Sequence, residues 1–104
     1  MYFHVILFAF AEGVSASQAD DALRALGGLR TRIPMIRAYH FGRNDADNPH
    51  NGRFSHCFVM AFDSKADRYA YQNHPLHLAF IRTRLDPMLA DSAVLDFTDM
   101  DDTK

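Results

Sequence analysis

Two segments of the chain, residues 2–10 and 56–62, are so rich in aromatic and branched apolar residues that each predicts a β-strand. Alternate positions fall on opposite faces of a strand, and here both faces are apolar apart from one histidine near each start. One face carries His4, Ile6, Phe8 and Phe10 in the first segment, and His56, Phe58, Met60 and Phe62 in the second. A sheet built from these strands must therefore be covered on both sides.

Between these two strands the chain predicts a helix, a strand and a polar loop. Ser15 or Ser17 can cap the helix, which carries an apolar stripe at helical spacing, and Pro34 prevents its continuation. Residues 36–41 predict a strand that ends at a glycine. Residues 43–53 are polar and contain several turn-forming residues, so they predict a loop.

After the third strand the chain predicts a second helix and a last strand. Ser64 and Asp67 form a capping box at the start of the helix, and residues 93–97 predict the strand. The order βαββαβ predicts one α+β domain over residues 1–104, with the ferredoxin-like arrangement of a four-stranded antiparallel sheet and two helices on one face. We expect the acidic tail to fray from about residue 99. Because two helices cover only one face, the other apolar face predicts a homodimer in which a second sheet covers it.

Residues 71–77 predict a break within the second helix. Pro75 disfavours the helical conformation for His74 and suits the first position of a new helix, so His74 is expected to cap that helix. His77 then lies in the first turn, where the helix dipole favours the neutral imidazole that a general base needs. Tyr71 lies one turn before the break, so a phenol and an imidazole can form an acid/base pair there. The alternative is that both rings only fill the corner between two helices.

The strand pattern also predicts a pocket. If the first and third strands are neighbours, His4 and His56 are expected to lie together at one end of the sheet, with the helix break closing over them. Their apolar floor would consist of Ile6, Phe8, Phe58 and Met60. An apolar cavity with a few polar groups at its rim is typical of a site for a small apolar or aromatic molecule. The alternative is that both histidines are half-buried and bonded to the backbone.

Composition argues against several classes of protein. The net charge is −2 and the basic residues form no run, so neither nucleic acid nor an anionic membrane is favoured as a partner. Residues 1–11 are apolar but too short to span a bilayer, and the single Cys57 cannot form an internal disulfide. We therefore expect a soluble cytoplasmic protein. No metal or cofactor is expected, because spacing places no carboxylate or thiolate beside the histidines and no phosphate-binding glycine loop is present.

Short motifs are spread along the chain without large gaps. They are His4-Val5-Ile6-Leu7-Phe8, Ile33-Pro34, Gly42-Arg43-Asn44, Ser55-His56, Tyr71 with His74-Pro75-x-His77-x-x-Phe80, and Val94-Leu95-Asp96-Phe97. Together they resemble the stress-responsive α/β-barrel domain family, also called Dabb, over about residues 2–98. The resemblance implies a ferredoxin-like subunit whose sheet pairs with that of a second subunit to form a dimeric α+β barrel.

The resemblance also implies a candidate chemistry. In the plant olivetolic acid cyclase branch of this family, a linear polyketide is closed by an aldol condensation without a cofactor. The working tyrosine and histidine of that branch match Tyr71 and His77, and its accessory histidines match His4 and His56. This implies a cofactor-free cyclase or lyase, in which His77 abstracts a proton next to a carbonyl and Tyr71 hydrogen-bonds to the enolate. The alternatives are a non-enzymatic stress-responsive homodimer and a cofactor-free monooxygenase of the dimeric α+β barrel type.

Overall fold

A four-stranded antiparallel sheet with strand order β2–β3–β1–β4 forms the centre of the molecule. The computed structural model describes residues 1–47 and 52–101. The strands are β1 (Tyr2–Phe10), β2 (Ala38–Arg43), β3 (His56–Phe62) and β4 (Leu89–Thr98), and the helices are α1 (Ala16–Gly27), α2 (Lys65–Gln72) and α3 (Pro75–Phe80). Since α2 and α3 together form the predicted second helix, the ferredoxin-like βαββαβ order is confirmed.

The predicted bounds of the strands are correct for β1 and β3 and shifted for the other two. β2 begins and ends two residues later than predicted, and β4 extends beyond residues 93–97 in both directions. At the end of β4 the Asp99 N–H donates to the Met1 carbonyl, so the first residue of the predicted tail is still held against β1. Residues 48–51 of the predicted loop and residues 102–104 of the predicted tail lie outside the described residues.

Side-chain caps define where the first helices begin. Ser15, rather than Ser17, caps α1: its Oγ accepts the Gln18 N–H, and the Gln18 side chain accepts the Ser15 N–H in return. At α2 the Ser64 Oγ accepts the Asp67 N–H, but no reciprocal bond from Asp67 is seen, so the predicted capping box is one-sided.

The predicted break in the second helix is present and separates α2 from α3. The His74 backbone is extended, and its Nδ1 accepts the Leu76 N–H at 3.1 Å, so His74 caps α3 as predicted. After Phe80 the chain continues as a π-helical turn over Ile81–Leu85 and a 3₁₀ turn over Asp86–Met88. The helix predicted from Pro75 therefore changes form after six residues. π-turns of this kind often occur at functional sites.

The two faces of the sheet have different surroundings. The helix-side face forms the core, where Phe8, Phe58 and Met60 are almost fully buried. On the opposite face Leu7, Leu95 and Phe97 are exposed. No described residue covers that second face, so the prediction that the helices protect only one side is confirmed. Within residues 1–47 and 52–101, no helix has the length and apolar character needed to cross a membrane.

Candidate functional site

His4 and His56 lie on the same face of the sheet but at opposite ends of it. In the antiparallel register of β1 and β3, His4 faces Met60, while His56 faces Phe8. The prediction that the two imidazoles lie together at one end is therefore wrong. The reason is geometric: the starts of two neighbouring antiparallel strands lie at opposite ends of the sheet.

His56 belongs to a separate polar network between β3 and α1. Its buried ring donates from Nε2 to Asp20 Oδ1 at 2.9 Å, and a second hydrogen bond of 2.8 Å joins Nδ1 to Ser55 Oγ. Arg43 donates to the same carboxylate at 2.6 Å. The hydrogen bonds from Arg43 and then His56 hold the pKa of Asp20 well below its usual range. The Nε2 hydrogen bond thus ties α1 to the sheet, while Nδ1 is occupied by the neighbouring Ser55.

A cavity of about 230 Å³ lies between the helix-side face of β1 and β4 and the segment that runs from α2 to the 3₁₀ turn. The residues of the described structure that line this cavity are His4, Ile6, Phe8, Arg68, Gln72, His77, Ile81, Leu85, Asp86, Leu89, Ser92 and Val94. The volume is below the roughly 300–1,000 Å³ that is usual for drug-sized ligands, so the cavity suits a small molecule.

The predicted floor of the pocket is divided between the cavity and the core. Ile6 and Phe8 line the cavity, whereas Phe58 and Met60 are packed within the core and are not among the lining residues. The division follows from the sheet order, because β1 lies beside the edge strand β4 and β3 lies one strand further from that edge.

His77 is held in one tautomer at the cavity wall. Its Nδ1 lies 2.9 Å from the Gln72 carbonyl oxygen, which can only accept, so Nδ1 carries the proton. In the neutral ring Nε2 therefore keeps its lone pair. Burial lowers the pKa of His77, the nearby charges of Arg68 and His74 lower it further, and the Gln72 hydrogen bond opposes them. Burial and neighbouring charges thus produce the neutral imidazole that the helix start alone was expected to favour.

Tyr71 lies behind His77 and is not among the residues that line the cavity. Its side chain is 1 % exposed, and its ring centroid lies 4.3 Å from that of His77 and 6.3 Å from that of His4. Burial raises the pKa of the Tyr71 phenol, and the charge of Arg68 opposes the shift, so the hydroxyl stays protonated. Within the described part of the chain, no hydrogen bond engages this hydroxyl.

The Asp96 carboxylate connects His4 to Arg68. The spacing of the sequence did not predict a carboxylate beside His4. His4 Nδ1 donates to Asp96 Oδ1 at 2.5 Å, and the other oxygen of Asp96 lies 3.5 Å from Arg68 Nε. Burial lowers the pKa of His4, the Asp96 hydrogen bond opposes this, and the charge of Arg68 adds to the lowering. His4 and His77 therefore both present a neutral imidazole to the cavity, each with Nδ1 anchored.

Sequence reasoning missed three polar residues of this region: Arg68, Gln72 and Asp96. Arg68 precedes Tyr71 by one helical turn, and Asp96 alternates onto the helix-side face of β4, opposite His4. These spacings could have indicated both residues, but only once β4 is known to pair with β1. No cluster of three or more histidine, cysteine or acidic side chains able to hold a metal occurs in residues 1–47 and 52–101.

The lowered pKa of His77 predicts a measurable titration. We expect ¹H–¹⁵N NMR to place the pKa of His77 below its ordinary value of 6.5, because burial disfavours the charged ring. The unfolded chain then binds this proton more readily than the folded one, so the free energy of unfolding should rise with pH up to about that ordinary value. A normal or raised pKa for His77 would contradict its assignment as a poised base.

Comparison with known proteins gives consistent matches. The model of the stress responsive A/B barrel domain family matches residues 3–99. The chain is 32 % identical over 78 residues to the stress-response A/B barrel domain-containing protein HS1 of Arabidopsis thaliana, covering 74 % of this chain and 71 % of that protein.

Solved structures share the fold. A dimeric ferredoxin-like protein of unknown function from Thermobifida fusca is 30 % identical with a TM-score of 0.77, covering 93 % of this chain and 89 % of that one. A hydroxynitrile lyase from Passiflora edulis has a TM-score of 0.87 at 19 % identity, covering 99 % of this chain and 96 % of that one. At that identity the similarity to the lyase shows the fold alone.

Proposed function

Because the chain belongs to the stress-responsive A/B barrel domain family, we propose that it is a cofactor-free enzyme of the lyase or cyclase type that uses its small cavity. One observation carries the proposal. His77 lines the cavity as a neutral imidazole whose Nδ1 is anchored on a backbone carbonyl, which leaves Nε2 as a base.

In the proposed reaction His77 Nε2 takes a proton from a carbon next to a carbonyl, or from the hydroxyl of a cyanohydrin. The carbonyl substrate then forms an enolate that can attack another carbonyl group. The cyanohydrin instead releases cyanide and leaves a carbonyl compound. Tyr71 would donate a hydrogen bond toward the developing oxygen charge, which its protonated phenol can do. Because the Tyr71 ring lies behind His77, this role requires its hydroxyl to reach the cavity once a substrate is bound.

His4 would act as a second polar group of the same cavity. Its Nδ1 is anchored on Asp96, so its Nε2 can accept a hydrogen bond from a substrate hydroxyl and orient it. We assign no substrate contact to His56, whose ring nitrogens are both engaged outside this cavity. Phe58 and Met60 would support the cavity wall from the core without touching the substrate.

We also propose that the protein is a homodimer, with the open face of its sheet covered by the same face of a second copy. The exposed apolar side chains of that face and the dimeric relative from Thermobifida fusca support this proposal. A second candidate function is a non-enzymatic stress-responsive dimer. The burial of Tyr71 outside the cavity favours it, because a purely structural ring would be placed in this way.

Exchange of carbon-bound hydrogen for deuterium tests the proposed chemistry without knowledge of the natural substrate. We expect the protein in D₂O to exchange the activated C–H of small β-dicarbonyl compounds, and to release aldehyde from aromatic cyanohydrins, faster than buffer or free imidazole does. NMR and absorbance follow the two reactions. Rates equal to those of imidazole across both panels would favour the non-enzymatic candidate.

A further inference from the structure

We infer that the cavity selects an apolar molecule with a carboxylate at one end, and that Arg68 binds this carboxylate. The inference deepens the proposed function, because it names the substrate class of the same cavity. It begins from an arginine whose placement neither the motifs nor the proposed chemistry explains.

Arg68 is a buried cation with unused hydrogen-bonding capacity. Its side chain is 8 % exposed, yet it lines the cavity from α2. One N–H of its Nη1 donates to Gln72 Oε1 at 3.0 Å. Its Nε is buried and has no hydrogen-bond partner in residues 1–47 and 52–101, because the nearest carboxylate oxygen, on Asp96, is 3.5 Å away. A buried charge with unfilled donors is costly unless something else fills them.

A carboxylate matches these donors better than other small groups do. The guanidinium is a planar fork of five N–H donors and binds both oxygens of a carboxylate at once. The Asp96 carboxylate balances the charge of Arg68 only loosely, since it also accepts the short hydrogen bond from His4. A ligand carboxylate could therefore gain hydrogen bonds that Asp96 does not make.

The rest of the lining gives the cavity a direction. One end carries the polar side chains of Arg68 and His4. Four residues further along β1, about 13 Å away at the usual rise per residue, Phe8 and Leu89 form a mostly apolar end, in which the uncharged Ser92 lies opposite Phe8. Asp86 lies beside that apolar end and would repel a carboxylate placed there. A ligand with an anionic head and an apolar body would therefore bind in one orientation.

This orientation suits the proposed base. His77 lies at the same end as Arg68, because the Tyr71 ring is next to both: its centroid is 4.3 Å from that of His77 and 5.8 Å from the guanidinium carbon of Arg68. A carboxylate on Arg68 would therefore hold the neighbouring carbons of the ligand near the two imidazoles. Arg68 would then be a specificity-determining residue that selects carbonyl acids over neutral carbonyl compounds. Removing it should change which molecule binds, while the base itself remains.

Three matched probes test the inference: phenylacetate, phenylacetamide and 2-phenylethanol, which share one apolar body. In calorimetric or NMR titrations we expect the wild-type protein to bind the acid about 10- to 100-fold more tightly than the amide, as charge-assisted hydrogen bonds allow. Arg68→Gln should abolish this preference. Arg24→Gln is the matched control, because it removes an exposed arginine that lies outside the cavity, and it should leave the preference unchanged.

Two further variants keep the test decisive if Arg68→Gln does not fold. Arg68→Lys keeps the charge but loses the planar fork, so it should retain only part of the preference. Asp96→Asn removes the competing carboxylate, so it should increase the preference for the acid, an outcome that a purely structural Arg68–Asp96 contact does not predict. Equal binding of acid and amide by the wild-type protein, or no binding of the acid at millimolar concentration, would overturn the inference.

The same titrations separate this inference from the proposed chemistry. If the protein prefers the acid but does not accelerate hydrogen exchange, the Arg68 inference stands and the proposed lyase or cyclase function is rejected. If the protein accelerates hydrogen exchange of neutral and acidic carbonyl compounds equally well, the proposed function stands and the Arg68 inference is rejected.

Discussion

Replacing His77 by alanine should lower the rate of hydrogen exchange or cyanohydrin cleavage by about 10²- to 10⁴-fold, the usual contribution of one general base. In the proposed reaction the neutral ring, with Nδ1 held by the Gln72 carbonyl, acts as the base, and alanine cannot replace its lone pair. Rates are measured by NMR in D₂O, with circular dichroism confirming the fold. Leu78→Ala is the control, because it also truncates a side chain of α3 to alanine, at an exposed position outside the cavity lining.

Tyr71→Phe should lower the same rate by no more than about 10²- to 10³-fold, since it removes a single hydrogen bond to the developing charge. The double variant should cost less than the product of the single effects, because both groups act in one proton-transfer step. If Tyr71→Phe retains full activity, Tyr71 only supports the His77 ring from behind. If both single variants unfold, the ring pair is structural and the non-enzymatic candidate is favoured.

A lysine in place of Leu95 should convert a dimer into a monomer. Leu95 is 65 % exposed in the single chain and lies on the open face of β4, opposite Val5 of β1. In the proposed dimer it would be buried, and two-fold symmetry would bury two lysines for each interface. Burying unpaired charges costs several kcal/mol, so the dimer dissociation constant should rise by about 10²-fold or more. Light scattering should show a fall from twice 11.8 kDa to 11.8 kDa.

Leu78→Lys provides the matched control for this experiment. Leu78 is also an exposed leucine, but it lies on α3, on the helix side of the sheet. The same substitution there should leave the dimer intact. A wild-type protein that is already monomeric at micromolar concentration would contradict the proposed dimer, as would two lysine variants with the same oligomeric state.

Much of the fold could be predicted from local patterns. The bounds of β1 and β3 follow from runs of apolar residues whose alternation is independent of the rest of the chain. The cap at His74 follows from the conformational preferences of a proline and the residue before it. The π-helical turn after Phe80 was not predicted, because its hydrogen bonds are not encoded by any residue type that marks helix ends.

The candidate site was predictable only where it depended on one element. The expectation of a neutral His77 came from its place beside a helix break; in the structure, burial and the charges of Arg68 and His74 lower its pKa, and the Gln72 carbonyl selects its tautomer. The separation of His4 from His56 required the antiparallel register of two strands distant in sequence. The contact between Arg68 and Asp96 could not be predicted either, because it joins α2 to β4 and depends on how they pack.

The sequence by itself therefore determined the order of the elements, the open apolar face and the helix break that carries His77, because each depends on residues close together along the chain. Only the tertiary structure decided which polar residues share a cavity: His4, Arg68 and His77 do, and His56 does not. The physical reason is that strand register and helix packing minimise the exposed apolar area of the whole domain. The partners of a buried polar side chain are consequently fixed by residues far from it in sequence.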